Sequence, residues 1–513
     1  MLDLTLGRSL RLAAERNPDA VALRFQDQAI THGELGDWSN KIAHALLEAN
    51  LKKGDLLGVM LNNSPLYVAV ACAAAKVGIG LVLLNYRFTG AELIYHLRDS
   101  RAGAILFDPA YAPAAIEASR ALPGLLLIAS QVTSGIDLSI DAMARGQPTR
   151  EPDNQVTEGD TLVLQYTSGT TGRPKGAIIT HRNRSLAFLH WPIIFGFGSE
   201  DILLHCGPFY HSAPFGMTLC QLCLGGEVVI MPVFNAADAL RLIEHERVTW
   251  AFMVPAMYNA IFTLLKNQPG AADLTSLRRL LSGASPLPTP VKKAILQAFP
   301  NAGLFEFYGA TEVGTVTVLR PEDQLRKTRC VGTPVFGSEI KVVDSEGASV
   351  GMGEIGEIFV KTPSIFDGYL GAPEKTEAAF RDGWCTLGDL GRLDDDGYLY
   401  IVDRLKDVIK SGGVNVYPSE IEEVVLTHPD VMEVAVIGIP DARWGEAVHA
   451  VVVIRSGAAL TMDELAAHCR GRLASYKLPK SLETRSALPH SPAGKVLKRT
   501  LREAYWRDSD VKI

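Results

Sequence analysis

The chain reads as an α/β protein with a large N-terminal domain of parallel α/β subdomains plus a small β-rich module, followed by a small α+β C-terminal domain. Three observations predict this. Its 513 residues exceed what a single compact core accommodates. Between residues 31 and 307, strand-length apolar runs alternate with helix-length amphipathic segments, which is the wiring of parallel sheets. Short strand runs broken by Asp-Gly and Glu-Gly turns then lead to residue 403, and beyond it helix and strand signals mix over about 110 residues, an ordinary domain size. The domains are placed at 1–403 and 404–513.

The elements follow in order. Thr31-His-Gly-Glu34 and Thr89-Gly-Ala-Glu92 each fit a capping box, in which a threonine hydroxyl and a glutamate carboxylate reciprocally satisfy free backbone N–H groups. The first opens a helix whose Leu35, Trp38, Ile42 and Leu46 share a face. Strands are expected at 56–61 and 104–107. The apolar window 67–84 is long enough to raise a membrane question, but Lys76 interrupts it and Gly78 and Gly80 follow. A buried helix at 64–77 feeding a strand at 81–84 accounts for the same letters. Further strands are expected at 227–231, 248–254, 277–281 and 304–307, then antiparallel ones at 339–343, 357–361 and 398–402. In the last domain, 419–428 and 461–473 read as helices, the second opened by Thr461-Met-Asp-Glu464, with strands at 431–439 and 447–454.

Composition excludes several function classes. A net charge of −7, without any basic run, leaves no footprint for nucleic acid. Asp3, Arg8, Arg11 and Glu15 interrupt the N-terminal segment, so no export signal is expected. Seven scattered cysteines suit a reducing compartment, and a cytoplasmic location is expected. Cys220 and Cys223, the one close pair, lack a second pair at metal-ligand spacing and read as small apolar residues of a buried helix. Peripheral membrane contact and a homodimer are both compatible with the sequence, which decides neither.

The chemistry begins at Tyr166-Thr-Ser-Gly-Thr-Thr-Gly-Arg-Pro-Lys-Gly-Ala-Ile-Ile-Thr-His181, which follows the apolar run 161–165. Thr167, Ser168, Thr170 and Thr171 supply hydroxyls, Gly169, Gly172 and Gly176 let backbone N–H groups approach an anion, and Lys175 adds a full positive charge. Such a loop suits a polyphosphate. It is not the P-loop of nucleotide triphosphatases, because Arg173 and Pro174 separate Gly172 from Lys175. Tyr308-Gly-Ala-Thr-Glu-Val-Gly314 places Thr311 and Glu312 on a Gly-flanked turn at the carboxyl end of a strand, where α/β folds put ligands. Glu312 offers the hard oxygen that Mg²⁺ prefers; the alternative is a helix N-cap by Thr311 with a solvated Glu312. Asp389, closing Trp384-Cys-Thr-Leu-Gly-Asp389, suits both hydroxyls of a ribose, or a plain turn. Ser491-Pro-Ala-Gly-Lys495 lies in a polar C-terminal loop.

These motifs, in this order, together with the stretch from Asp403-Arg-Leu-Lys-Asp through Lys410-Ser-Gly-Gly413 to Glu422, resemble the adenylate-forming superfamily of acyl-CoA synthetases, luciferases and peptide-synthetase adenylation domains. The general look is of the bacterial fatty-acyl-CoA ligases. The resemblance spans about residues 10 to 505. It implies an ATP-dependent acid–thiol ligase using ATP, Mg²⁺ and coenzyme A on a small-molecule carboxylic acid, with an acyl-adenylate as intermediate. It implies nucleotide contacts from Thr167, the residues 168–172, Lys175, Gly283, Ala284, Ser285, Tyr308, Gly309, Ala310, Asp389, Arg404 and Lys406, and Mg²⁺ on Glu312 and Thr167. Thr311 and Glu312 are expected to serve catalysis. Lys495 is expected to bridge the attacking carboxylate and the α-phosphate. A mobile C-terminal domain then turns about a hinge near 403–406, and Lys410, Ser411, Gly412 and Gly413 meet the pantetheine of CoA.

Within the family, Asn235 stands where an amino-acid-activating domain would carry an aspartate, which disfavours an amino-acid substrate. The segments that the resemblance assigns to the acyl pocket, 208–214 and the helix after it, 254–258, 283–285 and 308–317, contain no lysine or arginine. An apolar monocarboxylate is therefore expected, a medium- or long-chain fatty acid first and an aryl or alicyclic acid as runner-up. An acyl-carrier acceptor or a luciferase-like oxidation shares every nucleotide motif and stays open. His211 reads equally as a gate of the pocket or as a packed core histidine.

Overall fold

The computed structural model describes residues 3–153, 155–167, 174–268, 270, 272–455, 457–490 and 496–507. It forms two compact units, one of Met1–Thr328, Pro334–Glu339 and Lys361–Gly383, the other of Arg329–Thr333, Ile340–Val360 and Trp384–Ile513. This division differs from a single boundary at residue 403, because the strands Trp384–Leu393 and Leu399–Arg404 belong with the C-terminal residues. Local bonds explain it. The Ser419 N–H donates to Asp403 Oδ2 at 2.8 Å and Arg329 pairs with Glu423, so the helix Pro418–Leu426 is tied to what precedes it.

The first unit holds two sheets. One runs in the order Leu138–Ser139, Leu126–Ala129, Ala104–Phe107, Leu56–Met60, Gly80–Leu83, Thr161–Thr167, Lys175–Thr180, parallel except for its last pair. That last pair is a hairpin, and residues 168–173, which connect it, lie outside the described residues. The other sheet includes the run Gln28–Thr31, Val21–Phe25, Glu227–Ile230, Ile202–His205, Trp250–Phe252, Arg279–Ser282, Gly303–Ala310, Gly314–Leu319, antiparallel at both ends of that run and parallel between. The strand expected over 248–254 shortens to three residues, since Pro255 opens the helix Pro255–Asn267 directly after it.

All three expected capping boxes form, at Thr31/Glu34, Thr89/Glu92 and Thr461/Glu464. The window 67–84 is a buried helix, Pro65–Val77, ended by left-handed Gly78 and followed by the strand Gly80–Leu83. Lys76 is buried within it because its Nζ finds Asn40 Oδ1 at 2.6 Å and Glu151 Oε2 at 3.0 Å. Among the described residues no helix is long and apolar enough to cross a membrane.

In the second unit, Gly356–Lys361, Trp384–Leu393 and Leu399–Arg404 pair antiparallel. A further sheet orders Val414–Val416, Ile409–Ser411, Gly445–Ile454 and Val431–Asp441, with Ser481–Thr484 parallel to Gly445–Ile454. Ile421, Val425, Val436, Val448 and Leu465 form its core beneath the helices Pro418–Leu426 and Met462–Cys469.

Candidate active site

Thr167 and Lys175, which flank the centre of the phosphate-loop motif, meet the Glu312 turn in the first unit. Strand Gly303–Ala310 pairs in parallel with Arg279–Ser282 on one side and folds back antiparallel into Gly314–Leu319 on the other. Thr311, Glu312 and Val313 make the connecting turn, so the reading of Thr311 as a helix N-cap is replaced: no helix starts here. Glycines make the turn possible. A Cβ on Gly309 would sit 2.0 Å from the Gly314 carbonyl oxygen, and Gly314 itself has φ of +66°.

Glu312 is 7% exposed, and its Oε1 accepts hydrogen bonds from Thr167 Oγ1 at 3.1 Å and Tyr369 OH at 3.0 Å. Residues 361–383 bring that tyrosine in. The Ile178 N–H donates to Gly368 O, Leu370 N–H to Gly176 O and Phe366 N–H to Glu312 O, which fastens the strand Lys175–Thr180 to the turn. Lys175 Nζ lies over the Tyr369 ring, 4.8 Å from its centroid. Desolvation chiefly, and then the nearby Lys375, pull its amine below the usual lysine range, while Glu312 opposes them. Thr167, Lys175, Tyr369 and Glu312 thus share one polar locus.

No cation pairs with Glu312 within ion-pair distance among the described residues, and no group of three or more His, Cys, Asp or Glu side chains gathers to form a closed metal cage. A buried carboxylate ringed by hydroxyls is the donor set of a hard cation that draws its remaining ligands from water and substrate phosphates. The residues present therefore fit Mg²⁺ on Glu312 with Thr167 beside it.

Gly283, Ala284 and Ser285 follow the strand Arg279–Ser282. A Cβ on Gly283 would meet the Phe307 ring at 2.7 Å, and Ala284 holds a left-handed φ of +64°, an unusual conformation for a residue with a side chain. Tyr308, Gly309 and Ala310 end the neighbouring strand, so the two predicted nucleotide segments emerge side by side.

His211 is half-buried at the start of the helix Ser212–Leu224, with its ring 4.6 Å from that of Tyr210. His205, which the sequence did not single out, is fully packed: it stacks on Phe209 at 3.7 Å, contacts Thr218 Oγ1 at 2.9 Å, and burial lowers its pKa to about 3. His181, the last residue of the loop motif, is structural. Its Nδ1 accepts the Leu6 N–H at 3.1 Å, and burial drops its pKa to about 4. Cys220 and Cys223 lie on a packed helix, as expected, and Asn235 caps the helix Ala236–His245 by accepting from the Ala237 and Asp238 N–H groups at 2.9 and 3.1 Å.

The segments assigned to the acyl pocket do not include the helix His181–Phe195, which carries a cation. The fold lays that helix against the start of Ser212–Leu224, where Arg184 Nη2 donates to Ser212 Oγ at 3.1 Å. Trp191, two turns further along the same helix face, donates Nε1–H to Thr315 Oγ1 at 3.1 Å. Spacing alone gave no sign of either contact.

In the second unit, Asp389 is buried and lies 3.3 Å from Arg404 Nε, its cross-strand partner. Lys406 falls in the single turn Leu405–Asp407, and its backbone carbonyl accepts from Arg502. Lys410 to Gly413 form a tight hairpin in which Gly412 and Gly413 both adopt positive φ, +60° and +79°, the geometry of a two-residue primed turn. Lys410 is exposed there. Lys495 and residues 168–172 lie outside the described residues.

The family model of AMP-binding enzymes matches residues 10–370, and that of the AMP-binding enzyme C-terminal domain matches residues 420–495. A feruloyl-CoA synthase from an Amycolatopsis species is 38% identical over 96% of this chain and 97% of its own length. The long-chain-fatty-acid–CoA ligase FadD13 of Mycobacterium tuberculosis is 35% identical over 98% of both chains. Among solved structures, the o-succinylbenzoate coenzyme A synthetase of Bacillus subtilis in complex with ATP and magnesium ion superposes with a TM-score of 0.86 at 30% identity, covering 96% of this chain and 98% of that one.

Proposed function

The chain belongs to the AMP-binding enzyme family and is an ATP-dependent CoA ligase that releases AMP, and from that premise we propose the substrate and residue roles that follow. The substrate is a carboxylic acid with a largely apolar body. Its carboxylate oxygen attacks the α-phosphorus of ATP, pyrophosphate leaves, and the acyl-adenylate is then attacked at its carbonyl carbon by the thiol of CoA, releasing AMP. The carrying observation is the buried Glu312 carboxylate, hydrogen-bonded by Thr167 and Tyr369 beside Lys175.

Bringing two anions together requires charge neutralisation and alignment. Thr167, the residues 168–172 and Lys175 grip the phosphates of ATP, and Glu312 with Thr167 would hold Mg²⁺, which supplies positive charge next to the phosphate oxygens when bound. Gly283 to Ser285 and Tyr308 to Ala310 flank the base, and Asp389, oriented by Arg404, takes the ribose hydroxyls. Lys495 serves adenylation. Lys410 and the Ser411–Gly413 turn serve thioester formation after the C-terminal domain, which we place at 404–513, turns about Lys406.

For the acid itself, the medium- or long-chain fatty acid suggested by the sequence is supported by the apolar residues Phe215, Met217 and Leu219 on the helix Ser212–Leu224 and by the likeness to FadD13. A second reading, an aryl acid, is favoured by Arg184 at Ser212 and by the likeness to feruloyl-CoA synthase. A panel of both kinds, assayed for AMP release, tests the proposal. Release that needs ATP, CoA and one class of acid together supports it; ADP as the nucleotide product overturns it.

A further inference from the structure

Among the described residues, Arg184 is a cation without a counter-ion. It is 7% exposed, its Nε–H has no hydrogen-bond partner, and among the described residues no carboxylate pairs with it; Ser212 Oγ at 3.1 Å is the acceptor it reaches. A guanidinium presents five N–H donors in a fixed fork, so most of its donor capacity is unused. Burial pulls its pKa down to about 10, which still leaves it charged at neutral pH. Buried charges are ordinarily paired, because removal from water is otherwise uncompensated.

The location of this charge gives it meaning. A Cβ on Gly216 would lie 2.8 Å from Arg184 Nη1 and 3.0 Å from the Trp191 ring, so the glycine leaves room for both side chains at the start of the helix Ser212–Leu224. Trp191 in turn hydrogen-bonds Thr315, three residues beyond Glu312 on the same hairpin. Ser212, Gly216, Trp191 and Arg184 therefore form one contiguous patch, joined to the Glu312 hairpin through Thr315.

We propose that Arg184 is a specificity-determining residue, and that it recognises an oxygen substituent at the end of the acid remote from the reacting carboxyl group. This rests on the ligase reading above. The shared chemistry is an oxygen acceptor for the free guanidinium donors, borne as a hydroxyl on an aromatic ring or as a second carboxylate on a chain. A site built to hydrogen-bond such a group discriminates against the analogue that lacks it, since the buried donors are then left unpaired.

The test compares matched acids: cinnamic with 4-hydroxycinnamic acid, and octanoic with octanedioic acid. The kcat/KM of acid-dependent AMP release is measured in the wild type and in Arg184→Met and Arg184→Lys. The wild type should favour the oxygenated member of at least one pair by about tenfold or more. Arg184→Met should erase that preference while leaving the plain member within about threefold, and Arg184→Lys should keep part of it for the dicarboxylate. Because a long apolar side chain in place of an unpaired buried cation is often neutral or stabilising, the melting temperature of Arg184→Met should not fall. Equal use of both members by the wild type, an equal loss on every acid in Arg184→Met, or collapse of its fold would each overturn the proposal. Absence of AMP release with every acid would overturn the ligase reading itself.

Discussion

Replacing Glu312 by glutamine separates what this side chain does for the fold from what it does for the reaction. The glutamine oxygen can still accept from Thr167 Oγ1 and Tyr369 OH, now at 3.1 and 3.0 Å from Oε1, so both contacts survive as neutral hydrogen bonds. Each loses roughly 1 kcal/mol of charge assistance, about 2 kcal/mol together. Against this, a carboxylate only 7% exposed, and without a paired cation among the described residues, no longer has to be kept charged away from water, a relief worth several kcal/mol in typical sites. The variant should therefore melt no lower than the wild type. Adenylation should behave oppositely, because the proposed ligand for the hard cation and the negative charge beside Lys175 are gone; a loss of about 10²-fold or more is expected, the scale of removing one preorganised electrostatic group. Thermal melting without ligands and pyrophosphate release at saturating ATP and acid measure the two effects. A melting temperature lowered by many degrees with a proportionate loss of activity would refute the reasoning, since Glu312 would then be a structural acceptor.

Three further outcomes follow from particular residues. Asn235→Ala should cost about 1 kcal/mol of stability by removing the acceptor for two helix N–H groups, whereas Asn235→Asp should retain it; urea denaturation decides. Burial pushes the Glu306 carboxyl from 4.5 to about 7, with Lys292 Nζ at 3.6 Å opposing it. The folded state thus holds more protons than the unfolded one between those pH values, and this contribution to stability is full below about 4.5 and is lost as pH rises to 7. Glu306→Gln should therefore gain in melting temperature relative to the wild type between pH 5 and pH 8, and a parallel pair of pH curves would contradict this. Lys495→Ala should lose acyl-adenylate formation from ATP by about 10²-fold or more and still convert supplied acyl-adenylate to the CoA thioester; equal loss of both half-reactions would remove the special role of this lysine.

Local signals carried much of the fold. Capping boxes at Thr31, Thr89 and Thr461 were readable because both partners lie within one turn. The strand Ala104–Phe107 has the bounds its apolar run suggests. A fourth box, at Thr180, was missed because Asn183 rather than glutamate closes it. What escaped the sequence depends on partners distant along the chain. Glu312 and Thr167, 145 residues apart, were paired by the family resemblance and not by their spacing, while Tyr369, a further 57 residues from Glu312, gave no signal at all. Arg184 is the sharper case: its helix carries no ligand motif of its own, and its importance arises only from packing against Ser212 and Gly216. The second unit likewise gathers strands that precede residue 403, since Asp403 and Arg329 bind residues of the helix Pro418–Leu426.

The central claim, that a carboxylate oxygen of the substrate attacks the α-phosphorus, has a direct test in an acid labelled with ¹⁸O in its carboxyl group, incubated with enzyme, ATP and CoA. The account predicts that one labelled oxygen passes into the phosphate of AMP and that pyrophosphate stays unlabelled. Label in inorganic phosphate, with ADP as the nucleotide product, would contradict it.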